Sequence, residues 1–263
     1  FDLDPEMRDA FFGRAGGNLL FADPPDHTRL RRLVSRAFTP KRVEELRPAI
    51  AAMVERHIDT VLEAGTVDIM ETLAFPLPVT VIGELVGVPE ADRASFQPLI
   101  RAAVAAIDPG TDATSMRAAT TAMDQARAYF LDLVAERRKA PGDDLLSGLI
   151  AAREAGDALS DDEVVSTAVL LFSAGFETTT NLIGNGLLAL LQHPEQQKRW
   201  RDDPTIAHTA VEELLRWDSP VQLNMRTALE PADLGGEPLD TGDVVIVLQG
   251  AANRDPARFE DPD

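Results

Sequence analysis

The chain has 263 residues, 44% of them hydrophobic, enough apolar material for one large core or two modest ones, which excludes a disordered polypeptide. Asp and Glu outnumber Lys and Arg 44 to 25, and a net charge of −19 repels phosphate, so neither nucleic acid nor an anionic membrane is an expected partner. With no cysteine, these residues carry no disulfide framework, no zinc finger and no thiolate for a metal.

The chain opens on Phe1 and closes on the turn-formers of residues 259–263, which reads as one incomplete domain, residues 1–263, cut at both ends. Apolar residues recur at spacings of three and four through most of the first 217 positions, so the bulk reads as α-helix, with β structure arriving late. Thr39-Pro40 marks a helix start before Val43, Leu46, Ile50, Met53, Val54 and Ile58, and Gly65 ends that helix. Pro76, Pro78, Pro89 and Pro98 cut the next region into short helices, and Asp108-Pro109-Gly110-Thr111 is a loop before a helix over residues 115–139.

Ser160 followed by Glu163 is a capping box with acids in its first turn, and the apolar pattern behind it persists to Gln192, where His193-Pro194 stops it. About 33 residues make a helix about 50 Å long. Residues 164–176 are apolar on most sides, which predicts burial, although the run falls short of the roughly 18 residues of a membrane span. A soluble, cytoplasmic protein is expected. Beyond it, residues 205–217 read as a helix, residues 221–226 and 244–248 as strands, and Gly235-Gly236 as a hairpin turn.

Several chemistries have no signature here: there is no His-Glu-x-x-His, Gly-x-Ser-x-Gly or phosphate-loop Gly-Lys-Ser/Thr. The letters of Gly184-Asn185-Gly186-Leu187-Leu188-Ala189 fit a dinucleotide fingerprint, but they sit inside the long helix rather than between a strand and a helix. More informative is Ala174-Gly175-Phe176-Glu177-Thr178-Thr179-Thr180, a glycine, a carboxylate and three hydroxyls mid-helix. Glycine in a helix interior costs about 1 kcal/mol relative to alanine. Two accounts stay open: a close helix contact at Gly175 with Glu177 reaching solvent, or a locally opened helix beside a buried ligand with Glu177 and Thr178 passing protons.

Glu213 and Arg216 form an i,i+3 pair. His27 and Arg31 stand one helical turn apart in a basic stretch with Arg29, Arg32, Arg36, Lys41 and Arg42, either a solvated face or a site for an anionic ligand or acidic partner. Arg226 falls on an extended run, and Asn253-Arg254-Asp255-Pro256 reads as a turn.

Taken in order, residues 21–40 (FADPPDHTRLRRLVSRAFTP), Ala174-Gly175-Phe176-Glu177-Thr178-Thr179, Glu213-x-x-Arg216 and Ala252-Asn253-Arg254-Asp255-Pro256 resemble the bacterial cytochrome P-450 family of haem-thiolate monooxygenases. The resemblance implies a mainly α fold with a small β region, truncated at both ends, and haem b lying against the long helix near Gly175. It gives His27, Arg31 and Arg226 to the haem propionates, Glu177 and Thr178 to proton delivery in oxygen activation, and Glu213 with Arg216 to a structural ion pair. It further implies O2, a small hydrophobic substrate against Leu171, Ala174, Gly175, Val221 and Leu223, and a ferredoxin-type electron donor docking near residues 29–42. The family's cysteine ligand lies downstream of the Asn-Arg-Asp-Pro segment, so the chain as it stands is expected to be an inactive fragment of such an enzyme. The alternative is a non-catalytic helical relic that binds a ligand or a protein.

Overall fold

The computed structural model describes residues 19–105, 112–154 and 156–262, and the expected loop at residues 108–111 lies outside them. The chain divides into two compact units, Phe1–Glu177 and Thr178–Asp263. Its described part is mainly helical with a small amount of antiparallel β structure, as the sequence predicts.

In the first unit, helix α1 (Asp26–Ala37) buries Leu30, Leu33, Val34 and Ala37, one stripe at helical spacing. Thr39 caps α2 (Pro40–Glu45) by accepting from the Arg42 N–H at 3.3 Å. The single helix expected here is two, because Pro48 at the start of α3 (Arg47–Ala64) has no N–H to donate to the previous turn. The apolar face expected over residues 43–58 is also shallower: Met53 is buried, whereas Val43 on α2 and Ile58 on α3 are exposed. A π-helical turn (Met70–Ala74) leads into α4 (Pro76–Val86), then α5 (Glu90–Arg93), α6 (Phe96–Ala105), α7 (Ala113–Lys139) and α8 (Leu145–Ala151). Pro76 opens α4 in its first turn and Pro89 stands just before α5, as anticipated, whereas Pro78 and Pro98 lie within the first turns of α4 and α6 and do not cut them.

A two-residue hairpin, β1 (Arg153–Glu154) and β2 (Asp157–Ala158), precedes the long helix α9 (Asp161–Gln192). Both bonds of the capping box form: the Ser160 N–H donates to Glu163 Oε2 at 2.8 Å, and the Glu163 N–H donates to Ser160 Oγ at 3.2 Å. With 32 residues, α9 is about 48 Å long. It is buried on every side from Val164 to Val169, and Phe172 and Phe176 continue that burial along one face. Phe172 meets Phe96, Phe130 and Phe176 at ring-centroid distances of 4.7, 6.1 and 6.3 Å, and Phe75 stands edge-on to Phe176 at 5.5 Å.

The second unit holds the end of α9, α10 (Pro194–Asp202), a 3-10 turn (Pro204–Ile206), α11 (Ala207–Trp217), four short strands and α12 (Gln249–Ala252). β3 (Asn224–Thr227) pairs with β6 (Val244–Val247), and β4 (Ala232–Leu234) with β5 (Glu237–Leu239) through Gly235-Gly236, both glycines at positive φ. β3 starts three residues later than expected, because the Ser219 hydroxyl donates to the Val221 carbonyl and Gln222 Nε2 to the Ser219 carbonyl, which holds a turn there. Between Asn181 and Pro262, Ala189 is the one apolar side chain that is buried.

The phenylalanine cluster makes a direct prediction. Phe172→Ala removes the ring at its centre and should destabilise the protein by about 3–5 kcal/mol, read as a lower midpoint in chemical denaturation.

Candidate functional site

Helix α9 changes character at Leu170. Leu170 and Leu171 are half-buried, Ala174 is exposed, Glu177 and Thr178 are half-buried and Thr179 is exposed, while Phe172, Phe176 and Thr180 stay buried. The expectation of burial up to residue 176 therefore holds for one face alone. Leu171, Ala174 and Thr178 sit at i, i+3 and i+7, an open stripe of modest side chains with Glu177 beside it. The helix is α-helical throughout 161–192, so the locally opened helix considered for Gly175 is not what forms.

Gly175 itself answers to packing. A Cβ placed there would lie 2.7 Å from Ile82 Cδ1 on α4, so the close helix contact read from the sequence is present. No sequence pattern pairs positions 82 and 175. Nearby, the Ser173 hydroxyl donates to the Val169 carbonyl at 2.7 Å, which satisfies one mid-helix hydroxyl within α9.

His27 and Arg31 lie one turn apart on α1, half-buried and exposed respectively. Arg226 is exposed on β3 in the second unit and donates from NH1 to the neighbouring Met225 carbonyl at 2.8 Å. The basic stretch is less free than its charge pattern suggests. Arg29 donates to Asp157 and Glu163, Arg42 to Asp143 at 3.0 Å, and Lys41 stands 3.7 Å from Glu45. The Asp157 carboxyl is held below its usual range, first by the Ala158 N–H and also by Arg29.

In the second unit, Arg216 grips both oxygens of Glu213, at 2.7 and 2.8 Å, and donates from NH1 to the carbonyls of Asn253 and Pro262 at 2.8 and 3.0 Å. This is the expected i,i+3 pair, extended to tie α11 to the segment after α12. Arg254 stacks 4.7 Å from the Trp217 ring and donates to the Trp217 carbonyl. Gly186, which belonged to the dinucleotide-like letters, lies where a Cβ would approach Leu214 Cδ1 to 2.9 Å, so it too serves helix packing. A cleft of about 510 Å³ opens beside Glu213 and Arg216, walled by His193, Trp200 and Trp217, and it includes none of the predicted site residues. No metal-ligating cluster occurs among the described residues, and none of their helices is long and apolar enough to cross a membrane.

The family model for cytochrome P450 matches residues 4–263. The chain belongs to the cytochrome P450 family. It is 46% identical over 249 residues to cytochrome P450 monooxygenase PikC of Streptomyces venezuelae, covering 93% of this chain and 58% of that protein. It is 43% identical over 246 residues to 6-deoxyerythronolide B hydroxylase of Saccharopolyspora erythraea, covering 93% of this chain and 60% of that one. A solved structure of P450BioI in complex with a hexadec-9Z-enoic acid-ligated acyl carrier protein superposes with a TM-score of 0.93 at 38% identity, covering all of this chain and 67% of its own. The chain thus spans about three-fifths of the length of the curated relatives it matches.

P450 family members bind haem b. The open stripe on α9 fits a flat apolar macrocycle: Ala174 presents only a methyl group, and Leu171 and Thr178 flank it. No cysteine, and so no thiolate ligand, is among the 263 residues.

The Glu213–Arg216 fork yields a pH prediction. Hydrogen bonds from Arg216 hold the Glu213 carboxyl below its usual value of 4.5. The stability from this pair is then fully present above about pH 4.5 and is lost as the pH falls through the lowered value. Glu213→Gln should remove that acid-side loss, by less than about 1 kcal/mol because the carboxylate is more than half exposed, as measured by denaturant midpoints across pH 3–6.

Proposed function

We propose that the complete protein is a haem-dependent monooxygenase that places one atom of O2 into a small hydrophobic substrate, using electrons from a ferredoxin-type donor. The observation that carries this is the open stripe at Leu171, Ala174 and Thr178 on a helix that is buried on every side just before it, with Glu177 beside it, in a chain of this family. The unbroken family match across both compact units supports reading residues 1–263 as parts of one domain. A cytoplasmic enzyme is consistent with this reading.

Haem, when bound, supplies the iron at which O2 is reduced. His27 and Arg31 would donate to a haem propionate, and Arg226 would be a third cationic donor, each charge-assisted hydrogen bond contributing about 1.5–3 kcal/mol. Ala174, with only a methyl group on the open stripe, would let the macrocycle approach the helix backbone closely. Thr178 Oγ1 holds a proton at the oxygen site, and Glu177, one residue away, replenishes it from the solvent side. Leu171, on the open stripe, would exclude water and receive the substrate. Residues 1–263 supply no thiolate, so taken alone they should not turn over. The exposed cations of the basic stretch, Arg32 and Arg36 among them, would meet an acidic electron donor.

The protein expressed from its complete reading frame and reduced under carbon monoxide should show the Soret shift of a thiolate-ligated haem; its absence refutes the monooxygenase reading. In that protein, Thr178→Ala should divert reducing equivalents to peroxide and lower product per electron by about tenfold or more, whereas unchanged coupling removes Thr178 from proton delivery. Charge reversal at Arg36 should slow reduction by the donor at low salt and leave it unchanged at high salt.

A further inference from the structure

The first turn of α9 carries three carboxylates, and each is met by an arginine from another helix. Arg138 donates to Asp161 and Arg127 to Asp162, both from α7, whereas Glu163 receives Arg29 from α1. Glu163 differs from its neighbours in a second respect. Its other oxygen, Oε2, accepts the Ser160 N–H at 2.8 Å, so the carboxylate that receives Arg29 is itself fixed by the helix cap. The guanidinium also reaches Asp157 Oδ1 and Oδ2 at 3.4 and 3.3 Å, and Asp157 Oδ1 in turn accepts the Ala158 N–H at 2.8 Å. Arg29 therefore closes onto two carboxylates that the backbone already holds.

Arg29 lies two residues after His27 and two before Arg31. At about 100° per residue, it stands about 200° around α1 from each, on the opposite flank of the stripe formed by Leu30, Leu33, Val34 and Ala37. That stripe holds α1 to the core, but apolar contact is non-directional and tolerates small slides and rotations of a helix. A forked ion pair to a capped carboxylate does not.

We propose that Arg29 is a positioning residue: its contact with Glu163 fixes the register of α1 against the start of α9, and so the place where His27 and Arg31 present their donors. The proposal rests on the reading of His27 and Arg31 as propionate ligands. It separates Glu163 from Asp161 and Asp162, whose arginines come from a helix that carries neither donor.

The test uses the haem-loaded protein from the complete reading frame, with haem loss measured by transfer to excess apomyoglobin well below the melting temperature. Arg29→Gln and Glu163→Gln should each speed haem loss by about threefold or more. Glutamine at position 163 can still accept the cap bond, so the helix start is retained. Asp162→Asn removes a neighbouring ion pair to α7 and should leave the rate unchanged. In an Arg31→Ala, His27→Ala background, Arg29→Gln should add nothing, because the donors it places are gone. Equal acceleration by all three single variants, or full additivity in the double-alanine background, overturns the proposal in favour of a general loss of stability. No acceleration by Arg29→Gln while Arg31→Ala does accelerate loss overturns it too, and leaves the propionate reading standing. An unchanged rate in the double-alanine protein refutes that reading and the proposal together.

Discussion

The first unit depends on a six-residue length of helix with no solvent-facing side. Val164, Val165, Ser166, Thr167, Ala168 and Val169 are all buried, which only neighbours on every side can achieve. α9 must satisfy its own backbone there, and it does so as uninterrupted α-helix. The aromatic contacts of Phe172 and Phe176 carry the same packing forward as far as Gly175, where Ile82 comes close enough to exclude a side chain. Beyond Leu170 the same helix opens along Leu171, Ala174 and Thr178, with that packing behind it.

Charge is used in the opposite way from what a net −19 suggests. Surplus acid keeps the chain in solution, but the arginines of the first unit are spent on particular carboxylates: Arg29, Arg127 and Arg138 at the start of α9, and Arg137 on Asp144, where it also donates to the Gly87 carbonyl. Acids in a first turn suit the positive end of the helix, and each then draws a cation from elsewhere in the unit. In a chain with excess acid, such pairing discriminates among partners.

Much of this was legible in residue order. The capping box at Ser160, the stop at Pro194, the Gly235-Gly236 hairpin and the Glu213–Arg216 pair all act within a few residues, where local rules decide. The four family segments pointed to the family to which the chain belongs. What the sequence concealed depends on distant neighbours. The split at Pro48 competes with an apolar pattern that runs straight through it. The exposure of Ala174 depends on what does not pack there, and Gly175 meeting Ile82 is a contact across more than ninety positions. Arg29 looked like one more charge in a basic stretch, because nothing local distinguishes an arginine aimed at Glu163 from one aimed at water.

The two units differ in how they can respond to stress. From Asn181 onward, buried apolar side chains reduce to Ala189, and Val244, Ile246, Val247 and Leu248 lie open along a two-stranded ribbon. Hydrogen bonds, the Arg216 hub and half-buried side chains give that region shape, but its share of the heat-capacity change is the smaller one, since that change follows from apolar area removed from water. A calorimetric transition recorded on this chain would therefore report the phenylalanine-rich first unit, while amide exchange in the ribbon ran ahead of it.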